Sequence, residues 1–536
     1  LLPGSGPINS TVSRFAVTRF GGAADQRSAY TTLIDGGDVD DAQWGSPTIN
    51  VGQDAVQEFK VFRNQFDAQY GHALTAVVTV VTRSGANRFS GTGFYFGRDD
   101  RFNARNPFAR DKPPFDEHRF GGTFSGPVVR DRTHFFAAYE RDTVNNSRII
   151  ALPAGNVLAA TENGVFPAES HDGLTSLRLD HRQNTKHALS IRYNNELQQS
   201  LRSLTAPSSD TSQVDTFNRS HSLVVEEIWT PKQNAANALR VHVLAHTLGT
   251  AARNAMTAVN RPAGSIGQTN RDSQVVPRTK VSVSDTFYIH TPRHELKFGG
   301  EFAFGTHDVD AHVLEYGLFQ FQTDVPFDRD VANTWPTNFQ QQKPTVSTYR
   351  SQELAGFFHD DWRIGDRFRI NAGVRYDIDL NLRLNDFYDK LLDDPLLVGL
   401  DSFIGRERGT DTNNVQPRVG ATWDARGDGR IIVRGGSGLY VTRNRPWYQL
   451  RSMNQFGSSV VRITDSSLLR NYPDINAVLG GRSLDSFVAA GGPRQLGTVI
   501  PDDFVQPYAV NTTAGVGWQL MKTAALDIDY VHSDAS

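Results

Sequence analysis

The sequence predicts an all-β protein: an antiparallel transmembrane β-barrel preceded by a small α/β unit. Three observations carry this. From residue 88 onward the chain is a succession of segments in which apolar and polar residues alternate, the two-residue period of a strand with unlike faces. The links between these segments are short and long in turn, the pattern of a membrane barrel with short turns on one side and long loops on the other. No apolar run of about 18 residues offers a transmembrane helix. Mean hydropathy is −0.43, which fits strands whose apolar and polar side chains cancel in a window average.

The N-terminal unit is read over residues 1–85. Segment Ala29–Ile34 is a candidate strand, and Asp35-Gly36-Gly37-Asp38-Val39-Asp40-Asp41 a carboxylate-rich turn. That turn lacks the ligand register and closing glutamate of an EF-hand, so it reads as a solvated or domain-internal turn and no metal is assigned to it. Asp54 is placed to cap a short helix, with Gln57 in the capping-box position. Leu74–Thr82 is a near-continuous apolar, β-branched run that predicts a strand buried on both faces. Ser84-Gly85 is a turn signal, after which alternation begins at Arg88.

Fifteen strands are expected, at 88–98, 118–126, 132–143, 172–182, 185–198, 215–230, 233–249, 275–290, 293–307, 346–363, 366–381, 413–425, 429–442, 506–519 and 522–534. The clearest is Arg367–Asp377, with Phe368, Ile370, Ala372, Val374 and Tyr376 opposite Arg369, Asn371, Gly373, Arg375 and Asp377. Short links such as Thr291-Pro292 and Gly365-Asp366 alternate with long ones at about 99–117, 144–171, 199–214, 250–274, 308–345, 382–412 and 443–505. A soluble sheet with one solvated face would also alternate in polarity, but a sandwich or propeller has no reason to alternate its link lengths. Single-chain bacterial barrels have an even strand number, so a fifteenth strand implies that more of the barrel lies beyond the given sequence.

Net charge is −3, which gives no footing for nucleic acid. The absence of cysteine removes disulfides and thiolate metal sites. Leu1-Leu2-Pro3-Gly4 does not open a signal peptide, so for an exported protein the N-terminus is expected upstream.

Several ordered blocks are similar to the TonB-dependent outer-membrane receptors, specifically the Oar-like group. They are Leu33-Ile34-Asp35-Gly36, Asp54–Val61, Tyr70-Gly71 and Val77–Gly85, followed downstream by LAGFFHDDWRI at Leu354–Ile364, RFRINAGVRY at Arg367–Tyr376, NVQPRVGATWD at Asn414–Asp424, GRIIVRGGSGLY at Gly429–Tyr440 and FVQPY at Phe504–Tyr508. The resemblance implies that residues 1–85 are the later part of a plug domain, with Asp35, Gly36, Glu58, Tyr70, Gly71, Ser84 and Gly85 as its motif positions. Residues 86–536 would then be most of a barrel that has 22 strands in this family. It further implies a Gram-negative outer membrane, and import driven by the inner-membrane TonB complex through a short box upstream of Leu1.

No catalytic constellation is present: there is no GxSxG, HExxH or P-loop, and no cofactor is called for. Arg178, Asp180, Arg192, Glu295, Lys297, Glu301, Arg369, Arg375 and Asp377 are expected to face the lumen, as wall-to-wall and wall-to-plug partners. Trp44, Trp335 and Trp447 lie in the plug turn region and the long loops. They are the candidate ligand contacts, because an indole offers a flat apolar face with a donor; loop packing or an interfacial belt is the alternative use. Trp229, Trp362 and Trp518 lie near strand ends and read as belt anchors. The function expected is active import of a large, scarce ligand (siderophore, cobalamin, oligosaccharide or peptide), with a surface adhesion or protein-export barrel as the alternative and a passive porin disfavoured by the separate N-terminal unit.

Overall fold

The computed structural model describes residues 6–8, 17–19, 30–41, 45, 47–104, 112–152, 162–201, 209–268, 274–391, 397, 399–405, 408–456, 460–490 and 498–535. A short pair, β1 (Gly6–Ile8) and β2 (Val17–Arg19), comes first. The plug sheet follows, built from β3 (Tyr30–Ile34), β4 (Gly37–Asp38), β5 (Val56–Arg63) and β6 (Ala76–Thr82) in the order β4-β3-β6-β5, with β3 and β6 parallel.

The wall is one antiparallel sheet of fifteen strands in chain order. Its first members are β7 (Ser90–Asp99), β8 (Asp116–Val129), β9 (Thr133–Ile150), β10 (Gly164–Arg182), β11 (His187–Ser200), β12 (Val214–Lys232) and β13 (Ala235–Ala252). After the loop strands β14 (Ala258–Arg261) and β15 (Gly264–Ile266), the wall resumes with β16 (Gln274–His290) and β17 (His294–Ala311). Loop strands β18 (Leu318–Gln320) and β19 (Asn338–Gln342) precede β20 (Thr345–Ile364), β21 (Phe368–Asp379), β22 (Val415–Asp424) and β23 (Ile431–Val441). The last loop strand is β24 (Val460–Ile463), and β25 (Tyr508–Met521) and β26 (Ala524–Ala535) end the wall. All fifteen expected strands are present, and β7 and β26 are the two edges of the sheet.

Polarity in this wall is inverted relative to a water-soluble protein. Apolar side chains such as Leu223, Leu239, Val241, Val283, Phe302, Phe358 and Val419 are exposed on the outer face. Ser220, Ser222, Asn194, Glu196 and His242 are almost wholly buried on the inner face. A sheet with this arrangement has hydrocarbon outside and a polar filling inside. Trp229, Trp362, Trp423 and Trp518, each 37–47% exposed, lie at the short-turn ends of β12, β20, β22 and β25. They form the aromatic girdle of one interface; His187 and His294 stack on Trp229 and Trp362.

Three expectations are corrected. Asp54 does not cap a helix: it lies within a single 3-10 turn, Gln53–Ala55, whose N-cap is Gly52 with no side-chain cap, and the chain then extends as β5. The pairing of β5 with β6 along Val56–Arg63 overrides the local capping signal. Second, the β9–β10 connection is shorter than 144–171, because Gly164–Ser170 pairs in register with Val144–Ile150. These strand ends rise beyond the apolar band, so they carry no apolar alternation to announce them. Third, the long loops contain a second sheet, β15-β14-β18-β19-β24, drawn from three different connections. It covers a core of Val259, Phe319, Phe321, Phe339, Val461 and Ile463.

Of β6, Ala76, Val77 and Val78 are buried while Val81 is exposed, so burial on both faces holds only for its first half.

Candidate functional site: the plug–wall interface

The plug sits within the curve of the wall and is held almost entirely by polar contacts. Its main turn begins at Asp35 and Gly36, both in the left-handed region (φ 50° and 80°). Asp35 accepts hydrogen bonds from the Thr82 amide (2.9 Å) and the Thr82 hydroxyl (2.8 Å), which ties the turn to the end of β6. Arg192 on β11 donates to the Asp35 carbonyl (3.4 Å) and to Glu226 on β12 (2.9 Å), and Arg240 on β13 also donates to Glu226. A Cβ on Gly36 would lie 2.4 Å from the Arg240 guanidinium carbon, so the turn must be bare there.

The apex carboxylates are spoken for by cations. Asp38 accepts from Lys280 on β16 (2.9 Å) and pairs with Arg443 (2.8 Å), and Asp41 pairs with Arg278. Burial disfavours the Asp38 carboxylate, but the Lys280 and Arg443 charges beside it outweigh this and hold its pKa well below the usual range. Burial, reinforced by the Asp38 charge, pushes Asp40 well above it, although the Thr32 amide donates to Asp40 at 2.8 Å. The carboxylate-rich turn is therefore an internal ion-pair element of the plug.

A second loop of the plug, residues 64–74, docks on the later staves. Asp67 pairs with Lys297 (2.6 Å), and Arg418 donates to the carbonyls of Asp67 (2.7 Å) and Tyr70 (2.8 Å). Arg375, fully buried and held by both oxygens of Asp377 (3.0 Å each), donates to the Gln69 carbonyl (3.2 Å). A Cβ on Gly71 would lie 2.3 Å from that guanidinium. Elsewhere Arg178 donates to the Thr82 carbonyl, Asn218 to the Thr48 carbonyl and Asn511 to the Leu74 carbonyl, while Glu196 accepts from the Asn50 amide. Between the plug and strands β11–β21 lies a cavity of about 400 Å³, lined by Glu58, Lys60, Phe62, Tyr70, Tyr288 and Arg240 among others.

Of the residues singled out from sequence, Asp35, Gly36, Tyr70 and Gly71 fall at this interface. Glu58 is half-exposed on β5 and pairs with Lys60 (2.7 Å), Ser84 is exposed, and Gly85 lies against the β9 backbone, where a Cβ would meet the Phe135 carbonyl at 2.2 Å. Trp335 donates from its indole to the Asp328 carbonyl (2.9 Å) and lies under the Arg470 guanidinium, so its donor is used internally. Trp447 is partly buried in the helix Pro446–Phe456, and Trp44 lies outside the described residues. Sequence reasoning missed Arg443, Lys280 and Glu353. Their signal was an isolated charge in a loop or on a strand, and their meeting depends on contacts up to 242 residues apart.

A plugged antiparallel barrel with an apolar exterior and a polar, cation-rich socket defines a gated receptor of the Gram-negative outer membrane. The outer membrane beta-barrel domain family matches residues 81–168 and 148–536, and the chain belongs to that family. It is 24% identical over 147 residues to the TonB-dependent transporter Oar of Myxococcus xanthus, which takes in 26% of this chain and 13% of that protein. Among solved structures it is similar in fold to the outer membrane transporter YddB of Escherichia coli, with a TM-score of 0.67, 12% identity, and coverage of 95% of this chain and 62% of that one. The ferric enterobactin receptor PfeA of Pseudomonas aeruginosa gives a TM-score of 0.58 at 11% identity, with 95% of this chain covering 63% of it. The siderophore receptor PirA of Acinetobacter baumannii gives 0.55 at 10%, with 95% covering 63%. The chain thus spans about three fifths of the length of these receptors.

Proposed function

We propose that this chain is the later plug (1–85) and most of the barrel (86–536) of a receptor that binds a large, scarce ligand at the cell surface and imports it actively. The observation that carries this reading is the chemistry of the plug's seat. The wall holds the plug by ion pairs and hydrogen bonds around a cavity of about 400 Å³, contacts that water can replace one by one as the plug shifts. A stopper meant to stay would be expected to sit on an apolar seam. Ligand classes in scope are siderophore, cobalamin, oligosaccharide and peptide, with first contact at the loops that carry Trp335 and Trp447. The energy would come from the TonB complex of the inner membrane, acting on a segment outside the given sequence, and the barrel would be completed by further strands toward 22.

The test is accumulation, in cells carrying the full-length gene, of labelled ferric siderophores, cobalamin, oligosaccharides and peptides, with and without an uncoupler. Import predicts accumulation that the uncoupler abolishes while surface binding persists. The alternative, an adhesion or export barrel, predicts surface binding indifferent to the uncoupler and no accumulation, and that result would retire the import reading.

A further inference from the structure

The connection after β23 folds back over the plug. Its helix, Pro446–Phe456, buries Gln449, Leu450, Ser452 and Phe456. Leu450 and Phe456 join a core with Tyr349, Val309 and Ala311 from the upper wall and Tyr388 from the neighbouring loop. Gln449 donates to the Leu382 carbonyl (2.8 Å), and Gln342 donates to Asn454 (2.8 Å). This segment is a lid over the plug apex, and its root is fixed to the plug: Thr442 forms a parallel bridge with His72, and its hydroxyl donates to the His72 carbonyl (3.1 Å).

Arg443 is the next residue. Its Nη1 lies 2.8 Å from the Asp38 carboxylate of the plug and its Nε 2.9 Å from the Glu353 carboxylate of β20. Lys280 approaches the same two acids at 2.9 and 3.8 Å, and His72 Nε2 lies 3.8 Å from Glu353. The side chains of Arg443, Asp38, Glu353 and Lys280 are all 9–12% exposed. Two acids and two bases balance, and they come from four different parts of the fold. Arg443 cannot withdraw without the lid root, and once it withdraws two buried carboxylates face one ammonium. Such an arrangement is strongly unfavourable until another cation arrives.

We propose that Asp38 and Glu353 form a cation subsite at the plug apex, that Arg443 fills it while the lid is closed, and that the ligand which lifts the lid carries a guanidinium or ammonium group that takes its place. This deepens the import reading and narrows its ligand to the cationic class, a basic peptide above all. The exchange would also report surface occupancy to the plug, because the same carboxylate belongs to the plug turn.

The test uses the full-length protein in detergent micelles and follows hydrogen exchange over residues 30–41 and 446–456, the cooperative units the knot joins. Arg443→Ala is expected to raise exchange in both segments together, by about tenfold or more given the cost of an unpaired buried charge. Millimolar guanidinium should restore protection saturably where sodium at matched ionic strength does not. Arg443→Lys should retain part of the protection, and Glu353→Gln combined with Arg443→Ala should lose the rescue. If Arg443→Ala fails to fold, arginine amide added to the wild-type protein should speed exchange at 446–456, and glycine amide should not. Exchange that rises in the lid alone, rescue by sodium as effective as by guanidinium, or indifference to arginine amide would overturn the proposal. None of these readouts needs TonB or a proton gradient, so they stand apart from the uptake test.

Discussion

Asp40 and Asp38, two residues apart in the plug turn, have their pKa values displaced in opposite directions. An unfolded aspartate titrates near about 3.9. Asp38, depressed in the folded protein, contributes stability that is present above that value and lost only as pH falls through its lower folded value. Asp40, raised, acts in the opposite sense: its contribution is present below the unfolded value and is lost as pH climbs through the folded one. Asp40→Asn keeps an acceptor for the Thr32 amide and removes the titration. It is expected to raise the unfolding midpoint of the plug at neutral pH and flatten its decline from mildly acidic to neutral conditions, measurable by thermal denaturation across pH. Gly85 makes a simpler case. Its missing Cβ is demanded by backbone atoms of Phe135 and Gly126, which cannot swing aside as a side chain can. Gly85→Ala is expected to cost about 1–3 kcal/mol by forcing the plug-to-wall linker off β9, read from the denaturation midpoint.

At the level of elements, the staves were legible and the socket was not. Strands such as β21 declare themselves because one face meets lipid and the other a polar interior, so every second residue carries the message. The plug turn is different. Asp35 and Gly36 stood out through a family pattern, but the reason for them, Arg192, Glu226 and Arg240, lies on three staves more than 150 positions away, and no local period encodes that. The helix expected at Asp54 failed for the same cause: a strand partner twenty residues ahead decided the matter. The loop sheet stayed hidden because its strands are three to five residues long and one pairing, β14 with β18, is parallel and non-local. The lid helix rests on packing, so Leu450→Ala is expected to destabilise it by about 2–5 kcal/mol. Protease susceptibility over 446–456 would rise while the wall stays intact.

Across the whole molecule, the strand directions constrain closure. Strands β7 and β26 both run from the short-turn side to the loop side, since fourteen antiparallel steps separate them. Joining them directly would create a parallel pair in an otherwise antiparallel wall, whereas an odd number of intervening strands restores the pattern. Unpaired edges are not viable in hydrocarbon. Residues 1–536 expressed alone are therefore expected not to give the heat-modifiable, protease-resistant form of a closed barrel, a property read directly from gel mobility before and after boiling. Addition of the intervening strands should produce it.

The external sheet β15-β14-β18-β19-β24 takes its strands from three separate loops. Loops on many barrels are treated as interchangeable parts, free to vary or be transplanted singly. Here they are not: moving the connection that carries β18 and β19 onto another scaffold would leave β14 and β24 with no partner between them and open the aromatic core around Phe319 and Phe339 to water. Variation at this surface should therefore come in concerted sets of changes across 253–273, 312–344 and 442–507, and any attempt to re-engineer specificity must exchange the three together.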